Sequence, residues 1–271
     1  MMENPEPDDW EELQAGVCRI FTEIGLQAEQ NKKVRTPRGE VSLDVFAIDP
    51  GSVDKIQYVV ECKNWNSSVP QSVVHSFTTV MQEVGANIGY LVSKHGFQKG
   101  AIEYLRNTNI RGVTYADYQN HYLGVWIDRH FCPTVGGAAD SLIQYTEPIN
   151  SRRERCVANL SPDRQRHFLN LHKRYNLFGM AMAMISARQL MPQVVTRPDI
   201  SIEKMNKIIG ESLSREHRID APYLNDFLKE LVRLIQKISG EFIDIFEGDI
   251  FAQQVHMDKP KIYIDNFHKP L

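Results

Sequence analysis

The stretch VVECKNWN, residues 59–66, is the part of the sequence that best indicates the fold. Its apolar run ends in two charged residues, Glu61 and Lys63. Side chains two apart on a strand project from the same face, so Glu61 and Lys63 point together, while Val60 and Cys62 point the other way. A Lys–Glu pair at a strand end is by default a surface pair worth under about 1 kcal/mol. The sequence around this pair indicates a further role.

A second carboxylate, Asp44, lies inside the preceding apolar run VSLDVFAI, residues 41–48. Burying an ionised carboxylate without a partner is costly. If the two runs pair as a hairpin through DPGSVD, residues 49–54, Asp44 lies beside Glu61. Adjacent carboxylates repel unless a cation neutralises them, and Mg²⁺ takes hard oxygen ligands, often only one or two carboxylates. Lys63 can orient or help to deprotonate an attacking water, so the set predicts phosphodiester hydrolysis.

The elements around this site predict an α/β fold. A capped helix follows Asp8-Asp9, three β-rich runs come next, and a helical period covers 70–84. Two further strand–helix alternations run from IGYLVS (88–93) to DYQNHYLGVWIDRHF (117–131). The order α-β-β-β-α-β-α-β predicts a mixed β-sheet flanked by helices.

The rest of the chain reads as mainly helical. The helical spacing of apolar residues fades between 133 and 150. It returns at about 161–187, 199–213 and 221–246. The segment KPKIYIDNF, residues 259–267, predicts a strand. We therefore predict an α/β domain over 1–130, a linker over 131–155 and a mainly α-helical domain over 156–271.

Composition limits the partners and the compartment. The 271 residues carry a net charge of −3, but 1–150 hold 12 Lys+Arg against 19 Asp+Glu (−7) and 151–271 hold 19 against 15 (+4). This balance neither indicates nor excludes a nucleic acid partner. The four cysteines form no C-x-x-C pair, which argues against a zinc site or disulfide scaffold and favours a reducing cytoplasm. The most apolar stretch, 177–187, is shorter than the roughly 20 residues of a membrane span.

The pattern of Asp44 followed by Glu61-Cys62-Lys63 in this order of elements resembles the PD-(D/E)xK nuclease fold. The runs ECKNW (61–65), VPQSVVHSF (69–77), GANIGYLVSKHGFQKGA (85–101) and TNIRGVTYADY (108–118) are similar to Mrr-like restriction endonucleases, so the likeness covers about residues 8–127. It implies that Asp44 and Glu61 bind the metal, that the backbone carbonyl of Cys62 is a further ligand, and that Lys63 assists the attacking water.

Other residues are candidates for supporting roles. An acid on the first helix often completes such sites; Glu12 is the candidate and Glu11 the alternative, although the family pattern has Leu-Glu where this chain has Leu13-Gln14. Gln71 and His75, on the helix after the active strand, are candidates for contacting phosphate or supporting the metal ligands, or they are helix-surface residues. Ser93 and Lys94 precede a glycine-bearing loop that could bind phosphate or simply turn the chain.

These features predict a Mg²⁺-dependent DNA endonuclease, with Mn²⁺ able to substitute, and the resemblance implies restriction or defence against foreign DNA. A homo-oligomer, dimer or higher, suits cutting both strands because one site cuts one strand. The alternatives are a nuclease for RNA or for a particular nucleic acid structure, and an interaction or sensor protein that binds a protein or signal through residues 156–271. The location expected is the cytoplasm, with no membrane partner.

Overall fold

The structure is a computed structural model and describes residues 1–190, 200–213 and 217–252. Its first part has the predicted order of elements. They are α1 (Trp10–Glu23), β1 (Gln27–Thr36), β2 (Gly39–Ile48), β3 (Gln57–Lys63), α2 (Gln71–Val84), β4 (Ile88–Ser93), α3 (Lys99–Leu105) and β5 (Ile110–Thr114). Local sequence sets the helix ends: the Asp9 carboxylate accepts the N–H of Glu12 at 2.8 Å, and α2 ends at Gly85, whose φ is +71°.

The strands form one mixed sheet within the described residues, in the order β1-β2-β3-β4-β5. The first three are antiparallel, whereas β3, β4 and β5 are parallel and are joined by α2 and α3. Helices α2 and α3 pack on the face that carries Phe46 and Val59, and α1 packs on the face that carries Val45 and Val60. A mixed sheet flanked by helices is the predicted fold class, which is confirmed.

The second part of the chain is helical. It comprises α4 (Tyr115–Trp126), a π-helical segment (Ile127–Phe131), α5 (Cys132–Thr146), α6 (Ser151–Ala158), α7 (Pro162–Leu190), α8 (Ile202–Ser212) and α9 (Leu224–Ile245). No helix among the described residues is long and apolar enough to cross a membrane. The expected strand at 259–267 lies outside the described residues.

The stretch expected as a linker, 131–155, is helical in the structure. Helix α5 fills most of it and buries Leu142 and Tyr145 completely. A proline usually marks a helix boundary, but Pro133 lies just after the π-helical segment, and this local change of helical pitch accompanies the proline in a continuous helical run. The division of the chain into domains stays a prediction.

The first residues of the chain connect the two parts. Met2 is fully buried, and the carbonyls of Met1 and Met2 accept the N–H groups of Leu224 and Asn225 at 3.1 and 2.9 Å. One cluster of buried apolar side chains runs from α1 and the sheet into α5, α7 and α9. The helical region therefore shares a core with the α/β part.

Candidate active site

Asp44, in the middle of β2, lies close to Glu61 near the end of β3. The antiparallel ladder of these strands ends at the pair Val45–Val60, and Asp44 and Glu61 are the next residue on each strand. The Asp44 carboxylate accepts the N–H of Cys62 at 2.7 Å, and its charge helps to raise the pKa of Glu61. The two carboxylates are therefore neighbours.

Lys63 completes the group from the same strand. Its Nζ forms an ion pair with Oε1 of Glu61, and the two side chains are only 19% and 27% exposed. The carbonyl of Lys63 accepts the N–H of Lys94 at 3.1 Å, which fixes the end of β3 against β4. The two-residue spacing of Glu61 and Lys63 thus gives the contact that the sequence predicts.

Cys62 faces the opposite side of the sheet, but its backbone belongs to the site. Its N–H donates to Oδ2 of Asp44 at 2.7 Å. The N–H and C=O of one strand residue point to the same side, so the Cys62 carbonyl is also directed towards Asp44. Burial, with the charges of Asp44 and Glu61, raises the pKa of the Cys62 thiol well above its usual range. Cys62 therefore offers a carbonyl oxygen and not a thiolate.

An irregular position in β1 lies level with Asp44. The pairs Gln30–Val45 and Lys32–Leu43 flank it, and Asn31 between them has a φ of +51°. Asparagine is one of the few residues that adopt this left-handed conformation readily. The regular pairing of β1 with β2 is therefore interrupted beside Asp44, a feature that the alternating sequence of β1 did not predict.

Comparison with protein families assigns this part of the chain. Residues 8–120 match a family model, Mrr_cat, described as "Restriction endonuclease". These residues form a Mrr-type restriction endonuclease domain. The match includes Asp44, Glu61 and Lys63, so the resemblance seen in the sequence is confirmed, and the domain belongs to a nuclease family.

Other comparisons add little. No protein with a curated description matches the chain. One solved structure, described as "Crystal Structure of Protein of Unknown Function AF1548", is 15% identical with a TM-score of 0.37, over 85% of this chain and 98% of that one. A TM-score of this size does not establish a shared fold.

The oxygen atoms of Asp44, Glu61 and the Cys62 carbonyl suit a divalent cation that takes only a few of its ligands from the protein. The described residues contain no group of three or more His, Cys, Asp or Glu side chains placed to hold a metal. Asp44 and Glu61 supply two neighbouring carboxylates, and the Cys62 carbonyl points to the same place. Mg²⁺ commonly binds through one or two carboxylates and retains several waters. The donor set is thus of the kind that Mg²⁺ uses.

The acidic candidates on the first helix, Glu11 and Glu12, lie at its exposed start. Glu12 is exposed and accepts the N–H of Asp8 at 2.8 Å, a contact that belongs to the start of α1. Glu11 is also exposed, whereas Gln14 is only 3% exposed. The inward-facing position on α1 therefore carries an amide, and the role of Glu12 as a metal ligand stays a prediction.

The predicted pair on α2, Gln71 and His75, contacts α3, and its role towards phosphate or metal stays a prediction. The Nε2 atoms of Gln71 and His75 lie 3.2 Å apart, and the His75 ring packs on Tyr104 of α3 with centroids 4.4 Å apart. The α2 residues beside Glu61 and Lys63 are instead Ser72 and Ser76, which the sequence reading missed. The helical period identified the face of α2 that packs on the sheet, but it did not indicate which edge of that face borders the site.

Ser93 and Lys94 lie near the active strand but line a different hollow. Ser93 is fully buried, and its hydroxyl donates to the carbonyl of Gly96 at 3.1 Å, which makes it a turn residue. Lys94 is exposed beside a hollow of about 410 Å³ that the N-terminal segment also borders. A phosphate contact by either residue stays a prediction.

The electrostatics of Glu61 lead to a pH-dependent prediction. Burial and then the charge of Asp44 raise the pKa of Glu61 above its usual value, and Lys63 only partly opposes this. The folded protein holds this proton more tightly than the unfolded chain does. The stability due to the protonated carboxyl is complete at low pH and is lost as pH rises through the folded-state pKa.

We therefore expect Glu61→Gln to unfold at a higher temperature than the parent protein in EDTA at about pH 7.5, with no gain near pH 4, where the carboxyl is largely protonated in both states. Thermal unfolding monitored by circular dichroism measures this. The control is Glu103→Gln, an exposed carboxylate on α3. A lower unfolding temperature for Glu61→Gln at about pH 7.5 contradicts the prediction.

Proposed function

We propose that this protein is a Mg²⁺-dependent endonuclease that hydrolyses DNA phosphodiester bonds. The observation that supports this best is the position of Asp44 beside Glu61, with the Lys63 ammonium paired to Glu61, in a restriction endonuclease domain. Restriction, or another defence against foreign DNA, is the role that the family suggests. Mn²⁺, with similar oxygen ligands, is expected to replace Mg²⁺.

Each residue has a defined part in the proposed reaction. Asp44, Glu61 and the Cys62 carbonyl would hold the cation, and the Cys62 N–H fixes the Asp44 carboxylate by donating to Oδ2. Bound Mg²⁺ would stabilise the negative charge that develops on the phosphate. Lys63 projects from the same face of β3 as Glu61 and is paired with it, so its Nζ can orient the attacking water or accept a proton from it.

DNA affinity must come from outside the acidic half of the chain. Residues 1–150 carry a net charge of −7 and residues 151–271 a net charge of +4. Because nonspecific DNA affinity depends on Lys and Arg contacts to phosphates, we propose that the helical region 156–271 contributes to DNA binding. A dimer or higher homo-oligomer would supply a second site for the second strand. The proposed location is the cytoplasm.

Two other functions are compatible with this chain. The same carboxylates and lysine could hydrolyse RNA or a particular nucleic acid structure, because the chemistry at phosphorus is unchanged. A nuclease-fold sensor would instead act by binding a protein or signal through residues 156–271. The proximity of Asp44, Glu61 and Lys63 favours the enzyme, since a purely structural role does not require these charges together. A biological effect that survives both Asp44→Ala and Lys63→Ala would favour the sensor.

Removal of the metal tests the reaction class directly. We expect the purified protein to cleave DNA with Mg²⁺ or Mn²⁺ and to lose all measurable cleavage in EDTA, because the two carboxylates then lack the cation. The substrates are supercoiled, linear and single-stranded DNA and RNA, and the products are separated on gels. Addition of excess Mg²⁺ to the EDTA sample should restore cleavage. Undiminished cleavage in EDTA would overturn the mechanism, and cleavage of RNA alone would overturn the choice of substrate.

A further inference from the structure

A hollow of about 280 Å³ opens directly beside Glu61 and Lys63, between the end of β3 and α2. Glu61 and Lys63 form the part that borders the active site. The indole of Trp65 forms another wall and is 41% exposed. The Lys63 Nζ lies 5.4 Å from the centre of the Trp65 ring, so the exposed ring is next to the reacting atoms of the proposed site.

The lining of this hollow is mainly apolar with a polar edge. Val73, Phe77 and Val80 of α2 supply the apolar surface, and Phe77 is almost completely buried. Ser72 and Ser76 add hydroxyl groups, and the Ser76 hydroxyl donates to the Ser72 carbonyl at 3.1 Å, which leaves its oxygen free to accept. Such a surface suits a flat ring with hydrogen-bonding groups on its edge, and the Lys63 ammonium stands at the border with the active site.

We infer that this hollow binds one unstacked nucleobase, held against Trp65, of a nucleotide beside the phosphate that is cut. The inference rests on the proposed nuclease function and adds the class of substrate. Exposed aromatic side chains bind unpaired bases by stacking, whatever the base. A paired base can reach such a hollow only by leaving the helix, at an energetic cost that is smallest for mismatched or single-stranded nucleotides. The preferred substrate is therefore DNA with an unpaired nucleotide at the cutting position.

Fluorescence can test base binding without cleavage. The chain has three tryptophans, of which Trp126 is fully buried and Trp10 is 51% exposed. In a Trp10→Phe background, Trp65 is the exposed indole, and binding of a single-stranded oligothymidylate in Ca²⁺ should quench it. The Trp10→Phe/Trp65→Phe protein should show no such quenching. Absence of quenching in Trp10→Phe with single-stranded DNA overturns the inference.

Binding and cleavage by Trp65 variants complete the test. We expect Trp65→Ala to bind single-stranded DNA roughly tenfold to a hundredfold more weakly, whereas Trp65→Phe keeps most of the affinity. Trp65→Ala should also lose the preference for a duplex with one central mismatch over the matched duplex. The matched control is Trp10→Ala, which removes an exposed tryptophan outside the hollow.

The outcomes separate this inference from the proposed function. Equal affinity of Trp65→Ala and the parent, or a parent preference for the matched duplex, overturns the inference while the nuclease function stands. Cleavage by Asp44→Asn at the parental rate overturns the nuclease function itself. Thermal unfolding of each variant shows that it is folded before its affinity is compared.

Discussion

Replacement of Lys63 by alanine is expected to lower the rate of Mg²⁺-dependent DNA cleavage by about 10²- to 10⁴-fold, the range typical of losing a group that assists proton transfer. The Lys63 ammonium is paired with Glu61, whose carboxylate is a neighbour of Asp44. Its removal takes away the group that positions the attacking water but leaves both carboxylates in place. Single-turnover cleavage with saturating protein measures the rate of the chemical step.

The dependence on metal concentration separates Lys63 from Asp44. Lys63→Ala removes a positive charge, so its requirement for Mg²⁺ should not increase. Asp44→Asn removes a charged ligand, so it should need much more Mg²⁺ and still cleave slowly. The control is Lys55→Ala, because Lys55 is exposed and its Nζ donates to the carbonyl of Pro50 in the turn before β3. Equal rates for Lys63→Ala and Lys55→Ala would contradict the assigned role.

Replacement of Arg153 by methionine is expected to lower the free energy of unfolding by about 2–4 kcal/mol, since a hydrogen bond from a charged group contributes about 1.5–3 kcal/mol. Arg153 is only 4% exposed, although its neighbours on α6 are polar. Its guanidinium donates to the carbonyls of Gln144 and Glu147 at 3.2 and 2.7 Å. These carbonyls lie at the end of α5, where no helical N–H reaches them.

Urea denaturation followed by circular dichroism measures this loss. The control is Arg155→Met on the same helix, because Arg155 is exposed and its Nε donates to the carbonyl of Ser151 one turn away. Its effect should stay within about 0.5 kcal/mol. Equal unfolding midpoints for the two variants would show that the buried guanidinium does not hold the end of α5.

The proximity of Asp44, Glu61 and Lys63 could be predicted because it depends on segments that are close together in the sequence. Strand periodicity places Glu61 and Lys63 on one face, and the short connection between β2 and β3 places Asp44 beside Glu61. Both inferences need only sequence separation and the alternation of side chains on a strand. The same local rules gave the order of helices and strands up to β5.

Features that depend on how elements pack were not predictable. Helical periodicity cannot decide whether His75 or Ser76 borders the carboxylates, because that depends on how α2 lies across the sheet. The position of Glu12 is a similar case, because its contact with the N–H of Asp8 is set by the local geometry at the start of α1. Helix α5 was read as a linker because its proline and glycines carry no helical signal, although its buried face belongs to the common core.

The order of strands in the sheet has a consequence for the sequence of events in folding. Each strand pairs with the one made just before it, so the sheet can grow at one edge without waiting for distant segments. The contacts of Met1 and Met2 with Leu224 and Asn225 are the opposite case, because they join segments at opposite ends of the described chain. During synthesis Met2 therefore leaves the ribosome long before its partner exists, and its burial must be among the last steps to complete the core.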